Sequence, residues 1–310
     1  MTSGHHHISM ITKNAQSNNE FYTNILGLRR VNYTVNQDSP NMYHLFYGDK
    51  TGAPGTELTF FEIPMVGRTQ RGTNSISKIG LFVPNYQSLL YWEERLVSNG
   101  IQTDGIGIYA GRAALQFEDN EGLQFVLLNH QNREIPADWQ AWDGSDVNIE
   151  HRILGMGPIE LTVQKPEKTI ELLKEVFCYE VVEEKAEYIK IQTAKGKEFS
   201  EIIIVQKDGE VERAGRGSIH HLAFRAEDEK QLQLWNEKLQ SLGFDTSGQV
   251  DRHYFQSVYV RDHNNILFEI ATDKPGFTIT GPEESLGQVL HLPPKLSARR
   301  EEIEAMLKPL

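Results

Sequence analysis

Two histidines and one glutamate interrupt apolar, strand-like stretches of the sequence. His7 and His221 each begin such a stretch, and Glu269 lies inside Leu267-Phe-Glu-Ile-Ala271. An ionised glutamate in an apolar run is costly unless it is paired or binds a metal. Two imidazoles and one carboxylate form the set that leaves open positions on non-haem Fe(II) for a substrate and oxygen. The three residues therefore predict an Fe(II) site, if the fold brings them together.

Four copies of one pattern indicate how these residues are positioned. Each copy contains a strand, a helix and then three more strands, as judged from apolar periodicity and turn residues. The predicted first strands begin at His7, Lys78, Glu160 and His221. The predicted helices are Phe21–Gly27, Tyr86–Ser98, Lys168–Phe177 and Glu229–Leu242. The sequence thus predicts an α+β fold of four βαβββ modules.

The length of the chain suits two domains of two modules each. Two modules side by side pair their open sheet edges and leave a cup-shaped cavity. We predict a first domain over 5–130, a linker over 131–154, a second domain over 155–275 and a helical tail over 276–310. A helix is expected at Ser297–Leu307, either on the surface or between subunits, with a lid over the site as the alternative.

Equivalent positions in the modules suggest which modules face each other. Glu269 aligns with Val126 in the second module and with Phe61 or Glu62 in the first. If His7 shares a metal with His221 and Glu269, the first module must face the fourth. The cup then spans the two halves of the chain. The first-strand residues Lys78 and Glu160 would form an ion pair in a second cup without metal.

Composition excludes several functional classes. The chain has 31 Lys and Arg against 43 Asp and Glu, a formal net charge of −12, which disfavours a nucleic-acid partner. A single cysteine, Cys178, excludes a disulfide framework and suits a cytoplasmic location. No apolar run approaches the ~20 residues of a membrane span. We therefore expect no nucleic acid or membrane partner, and leave a homo-oligomer open.

Four short motifs resemble those of the vicinal oxygen chelate superfamily. They are His6-His7-Ile-Ser, Phe21-Tyr-x-x-x-Leu-Gly-Leu28, His220-His221-Leu-Ala and Leu267-Phe-Glu-Ile. The chain is most similar to the ring-cleaving dioxygenases that act on hydroquinones, with further support from Gly55–Phe61 and Ala271–Phe277. The resemblance implies two vicinal-oxygen-chelate domains, with iron bound by a His of the first module and a His and Glu of the last.

The resemblance also implies roles for residues beside these ligands. His6, Ser9 and His220 would line the substrate pocket, and Arg252 and Tyr259 would be the anion-stabilising and gating groups. His253, next to Arg252, is a competing candidate. We expect His6 or His220, with a pKa near neutrality, to accept a hydroxyl proton from the substrate.

These observations predict an Fe(II)-dependent dioxygenase of the hydroquinone 1,2-dioxygenase type, inserting both atoms of O₂ into a small aromatic diol. One alternative is an extradiol catechol dioxygenase, which would take all its ligands from the C-terminal domain and have His in place of Glu160. A second is a glyoxalase-like isomerase or thiol transferase, which needs a fourth ligand, for which Glu62 is the candidate. A third is a ligand-binding protein without a catalytic metal.

Overall fold

The computed structural model describes residues 1–310 and contains the four predicted βαβββ modules. Module 1 consists of β1 His5–Thr12, α1 Ala15–Glu20, β2 Arg29–Asn36, β3 Ser39–Gly48 and β4 Glu57–Glu62. Module 2 consists of β5 Ser75–Val83, α2 Tyr86–Ser98, β6 Thr103–Tyr109, β7 Arg112–Glu118 and β8 Gln124–Asn129. The predicted α+β class is therefore confirmed.

The second half of the chain repeats this order and adds a tail. Module 3 consists of β9 Gly155–Val163, α3 Pro166–Phe177, β10 Tyr179–Glu184, β11 Ile189–Thr193 and β12 Ile202–Gln206. Module 4 consists of β13 Ile219–Ala226, α4 Glu229–Ser241, β14 Val250–Asp251, β15 Phe255–Arg261 and β16 Leu267–Pro275. The tail contains α5 Pro294–Ser297 and α6 Arg300–Met306. No helix in the structure combines the length and apolar character needed to cross a membrane.

Two helical predictions differ from the structure by more than two residues. The first helix begins at Ala15 rather than Phe21, because the Asn14 side chain accepts a hydrogen bond from the Ser17 amide at 2.8 Å and caps it. A π-helical turn continues it over Phe21–Ile25. The tail forms two short helices instead of one, and none of its residues lines the main cavity.

The strands form two eight-stranded sheets, and each sheet combines modules from both halves of the chain. One has the order β14-β15-β16-β13-β1-β4-β3-β2, and the other has the order β10-β11-β12-β9-β5-β8-β7-β6. Module 1 therefore shares a sheet with module 4, through antiparallel pairing of β1 with β13. Modules 2 and 3 pair in the same way through β5 and β9. The pairing predicted from the ligand positions is confirmed.

The helices cover one face of each sheet and leave the other face to form the cups. In α4 the residues Leu232, Trp235 and Leu239 are buried, at the three- and four-residue spacing of an amphipathic helix. They belong to one large apolar cluster that draws on both sheets. Because strand side chains alternate between faces, the polar residues of the same strands point into the cups.

The cup of modules 2 and 3 contains the predicted ion pair. Lys78 Nζ lies 3.2 Å from Glu160 Oε2. The Tyr109 hydroxyl donates to the same oxygen at 2.9 Å, and Ser77 donates to Glu160 Oε1 at 2.8 Å. An ammonium group thus stands where module 1 has His7, and its charge balances the buried carboxylate.

Replacing Lys78 with Met is expected to lower the free energy of unfolding by about 2 kcal/mol, because it leaves the Glu160 carboxylate buried without its cation. The lysine side chain is 26% exposed, so the loss is smaller than for a fully buried pair. Urea unfolding provides the measurement. The double variant Lys78→Met, Glu160→Gln should recover most of the loss. Lys168→Met, which removes an exposed ion pair with Glu171, is the matched control and should change stability little. Equal losses of stability in Lys78→Met and Lys168→Met would contradict the prediction.

Candidate metal centre

The junction between modules 1 and 4 brings the three predicted ligands together. Ser9 of β1 lies opposite His221 of β13, and the register shifts between His5 and Ile8. On the other side of β13, Glu269 of β16 lies opposite Ala223. Three neighbouring strands, β1, β13 and β16, therefore each contribute one ligand candidate to the same cup.

The donor atoms of the three side chains form a compact triangle. His7 Nε2 lies 3.3 Å from His221 Nε2 and 3.1 Å from Glu269 Oε2. His221 Nε2 lies 2.8 Å from Glu269 Oε2. Three ligands at right angles around a metal, with bonds of ~2.1 Å, would be separated by ~3.0 Å. All three residues are buried. The donor set and its spacing fit a divalent metal such as Fe(II) with a facial 2-His-1-carboxylate set.

The protonation states of these residues suit metal binding. Burial alone would raise the pKa of the Glu269 carboxyl, but His7 and His221 hold it well below its usual range. Burial lowers the pKa of His221, although Glu269 opposes the shift. Metal ligands must be deprotonated, so an ionised Glu269 beside a neutral His221 is ready to bind.

A second group of possible ligands shares His7 but lacks these properties. His6, His7 and Glu57 also lie within metal-binding reach of each other. Burial raises the pKa of Glu57 well above its usual range, and the nearby carboxyl of Asp49 adds to the shift. A protonated carboxylic acid is a poor metal ligand. The structure therefore favours the group that contains Glu269.

Each ligand candidate is oriented by a hydrogen bond behind it. His7 Nδ1 lies 3.0 Å from His6 Nδ1, and His221 Nδ1 lies 2.7 Å from His220 Nδ1. A histidine that binds metal through Nε2 carries its hydrogen on Nδ1 and donates it to such a partner. The Ser257 hydroxyl similarly donates to Glu269 Oε1 at 2.5 Å. The two His-His doublets of the sequence are thus pairs of a ligand candidate and its orienting neighbour.

The structure agrees only in part with the predictions for His6 and His220. His6 lies outside the main cavity, where it contacts His7 and the Thr272 carbonyl at 3.2 Å, whereas His220 does line the cavity. Burial and the neighbouring His7 lower the pKa of His6 well below its usual value. Burial of its ring and the nearby His221 also lower the pKa of His220. The prediction of near-neutral pKa values for these histidines is therefore wrong.

Replacing His6 with Ala is expected to weaken Fe(II) binding by about 10- to 100-fold, because His7 loses the acceptor that fixes its ring. His6→Asn is the matched control, since its amide oxygen can occupy the position of Nδ1 and accept the same hydrogen bond. The measurement is competitive Fe(II) titration under anaerobic conditions. Equal affinities for the Ala and Asn variants would contradict the orienting role.

The triangle opens into a cavity of about 280 Å³. Of the residues predicted for the site, the cavity wall includes His7, Ser9, His220, His221, Arg252, Tyr259 and Glu269. It also includes Phe61, which was predicted only as an equivalent of Glu269, and residues that sequence reasoning missed, among them His44, Phe46, Tyr254 and Phe255. His44 and Phe46 lie on β3 and Phe255 lies on β15, where strand alternation is the one signal that could have found them, whereas Tyr254 immediately precedes β15.

Arg252 and Tyr259 form one unit at the cavity wall. Arg252 Nε donates to the Tyr259 oxygen at 3.1 Å, and the guanidinium lies 5.1 Å from the centre of the tyrosine ring. Asp38 pairs with the other side of the guanidinium at 3.2 Å. The competing candidate His253 lies outside the cavity wall and stacks on His291 of the tail. The structure therefore favours Arg252 over its neighbour.

The position equivalent to Glu269 in module 1 is Thr59. In module 1, Ser9 lies two residues after His7 and pairs with Thr59. In module 4, Ala223 lies two residues after His221 and pairs with Glu269. The predicted equivalents Phe61 and Glu62 are wrong. Glu62 accepts a hydrogen bond from the Ala15 amide at 2.9 Å and faces α1 rather than the cup. The fourth ligand that a two-His, two-Glu site would need is absent from this position.

Comparison with known proteins agrees with this architecture. The sequence profile of the Glyoxalase/Bleomycin resistance protein/Dioxygenase superfamily matches residues 4–127 and 155–270. The chain belongs to this superfamily. It is 43% identical to a Bacillus subtilis protein named "Putative ring-cleaving dioxygenase MhqA", over 99% of this chain and 98% of that protein. Within the Glyoxalase/Bleomycin resistance protein/Dioxygenase superfamily, the chain is thus a member of the ring-cleaving dioxygenases.

Two further relatives extend the comparison. A protein of Sphingobium indicum named "Chlorohydroquinone/hydroquinone 1,2-dioxygenase" is 28% identical, over 97% of this chain and 94% of that protein. A crystal structure described as a "putative dioxygenase" from Bacillus subtilis superimposes with a TM-score of 0.93 at 32% identity. That alignment covers 100% of this chain and 97% of the other. The predicted superfamily and fold are confirmed.

Proposed function

We propose that the chain is an Fe(II)-dependent dioxygenase that cleaves the ring of a hydroquinone, with His7, His221 and Glu269 as the iron ligands. The observation that carries the proposal is the compact donor triangle, which has three ligand candidates and Thr59 in the fourth position. Three protein ligands leave room on the metal for both a substrate oxygen and O₂. The relative named for chlorohydroquinone and hydroquinone supports the substrate class.

Iron held by these ligands would supply the electron transfer that lets triplet O₂ react with a closed-shell phenol. The protein residues bind and orient the aromatic diol beside it. The fixed positive charge of Arg252 stabilises negative charge that develops on the substrate oxygen. Since Arg252 donates to the Tyr259 oxygen, the phenolic hydrogen of Tyr259 is free to donate into the cavity. Burial raises the pKa of Tyr259, which keeps this donor protonated.

The structure offers little support for the alternatives. A glyoxalase-like enzyme would need a fourth ligand, and Glu62 faces away from the cup. An extradiol catechol enzyme would take both histidines from the C-terminal domain, but here β1 contributes one of them and Glu160 lies in the other sheet. A cytoplasmic location and a homo-oligomer stay predictions from the sequence.

The test is anaerobic reconstitution with Fe(II), followed by measurement of oxygen uptake with hydroquinone, methylhydroquinone and catechol. We expect one O₂ consumed per ring cleaved, with the hydroquinones as the better substrates. Reconstitution with Zn(II) is the control and should give no uptake, because zinc has no redox chemistry. Glutathione-adduct turnover without oxygen consumption would contradict the proposal.

A further inference from the structure

One wall of the cavity contains a chain of three hydrogen-bonded side chains with no role in holding the metal. Ser9 Oγ lies 2.6 Å from Thr59 Oγ1, which lies 3.2 Å from His44 Nε2. The chain begins at Ser9, on the same face of β1 as His7, and crosses β4 to reach His44 on β3. It therefore runs from the metal centre to a more distant part of the cavity wall.

His44 lines the cavity and has one ring nitrogen without a partner in the protein. Its Nε2 is engaged with Thr59, whereas Nδ1 has no hydrogen bond to the protein and is not enclosed by it. Burial lowers the pKa of His44 well below its usual value, so the ring is neutral, with one donor and one acceptor nitrogen. A polar atom placed in this way on a cavity wall is available to a ligand.

The surroundings of His44 restrict the kind of ligand that can use this nitrogen. The imidazole centre lies 4.0 Å from that of the Phe46 ring and 4.1 Å from that of Phe61, so two aromatic rings flank it and this part of the cavity wall suits an aromatic ligand. Depending on the tautomer, Nδ1 donates or accepts. A hydroxyl group serves in both cases because it can do either, whereas a carboxylate can only accept.

The position of the chain distinguishes two classes of diol. When one hydroxyl of a catechol lies at the metal centre, its second hydroxyl lies at the same edge of the ring. The second hydroxyl of a hydroquinone projects from the opposite end of the ring, away from the metal. A hydrogen-bonding group on the wall beyond the metal centre therefore favours a para-diol.

We propose that His44 binds the second hydroxyl of a para-diol substrate, with Thr59 and Ser9 fixing its ring, and thereby selects hydroquinones over catechols. This inference rests on the proposed function, since it assumes that the first hydroxyl lies at the metal centre. A site built to hydrogen-bond a hydroxyl rejects analogues that lack it, because its own polar group is then left without a partner.

The test is anaerobic equilibrium binding to the Fe(II)-loaded protein, followed by intrinsic fluorescence, with hydroquinone, catechol and phenol as ligands. Phenol retains the hydroxyl for the metal centre and lacks the second one. In His44→Phe, whose new ring suits the aromatic neighbours, we expect the affinity for hydroquinone to fall about tenfold, while those for phenol and catechol stay unchanged. His44→Gln should restore part of the affinity.

Two further variants separate recognition from general damage. Thr59→Val keeps the side-chain shape and removes the hydroxyl that fixes His44, so it should weaken hydroquinone binding selectively, by a smaller factor. His263→Phe is the matched control, since His263 is exposed and its ring centre lies 4.9 Å from that of Phe244, outside the cavity. It should leave all three affinities unchanged.

An equal loss of affinity for all three ligands in His44→Phe, or no loss, overturns the inference. A wild-type protein that binds hydroquinone no better than phenol overturns it as well. Oxygen uptake is the separate test of the proposed function. Uptake with hydroquinone, without a selective loss of affinity in His44→Phe, leaves the proposed function standing and rejects only the inference. A selective loss of hydroquinone affinity without oxygen uptake supports the binding role of His44 and rejects the proposed function.

Discussion

Replacing Glu269 with Gln is expected to remove most of the iron and to lower oxygen uptake by more than about 100-fold. Glu269 Oε2 contacts both histidine nitrogens of the donor triangle, and its charge is the only negative one among the three candidates. Changes to residues behind a ligand commonly cost 10- to 100-fold in metal affinity or activity, and loss of the ligand itself should cost more. Iron content after reconstitution and oxygen uptake are measured in parallel.

Glu57 provides a matched control for this substitution. It is also buried in the same sheet and belongs to the second possible metal group with His6 and His7. Glu57→Gln removes a carboxyl whose pKa burial raises well above its usual range, so iron content should remain close to that of the wild type. If Glu57→Gln lost its iron and Glu269→Gln retained it, the assignment of the metal centre would be reversed.

Replacing Thr59 with Glu is expected to keep or strengthen metal binding and to lower oxygen uptake by at least about 100-fold. The substitution creates a carboxylate at the position that matches Glu269 in the other module. A fourth protein ligand would occupy a coordination position that the substrate or O₂ requires, and small displacements of a reactant can cost about 100-fold in rate. The measurements are metal affinity by competitive titration and oxygen uptake with hydroquinone.

Thr59→Gln separates ligation from crowding, because glutamine has nearly the same size as glutamate without its charge. We expect it to bind iron no more tightly than the wild type. If the Glu and Gln variants had the same metal affinity, the fourth position would not reach the metal, and the matched geometry of the two modules would not extend to ligation.

The repeated pattern made much of the fold predictable. Strand-helix-strand periodicity is a local signal, so α2 at Tyr86–Ser98 was predicted with its correct ends. The pairing of module 1 with module 4 could also be predicted, because ionisable residues in apolar strands are costly unless they meet. Both arguments use features that are visible in the sequence without knowledge of sheet register.

Register explains where the predictions of the site were wrong. Thr59 and Glu62 are three residues apart on one strand and so face opposite sides of the sheet. Sequence alone favoured the glutamate, because its side chain has the chemistry of a ligand. His44 was missed for the same reason, since a single histidine in a strand gains its meaning from Thr59 and Phe61 on the neighbouring strand.

The pairing of β1 with β13 has a consequence for the synthesis of the protein on the ribosome. Modules 2 and 3 are adjacent in the chain and can pair as soon as both have emerged. β1 is made first, but its edge stays without a partner until β13 follows, more than 200 residues later by the register of Ser9 with His221. Such distant contacts form slowly. The metal centre is therefore completed last, when β16 with Glu269 joins the sheet that contains β1 with His7.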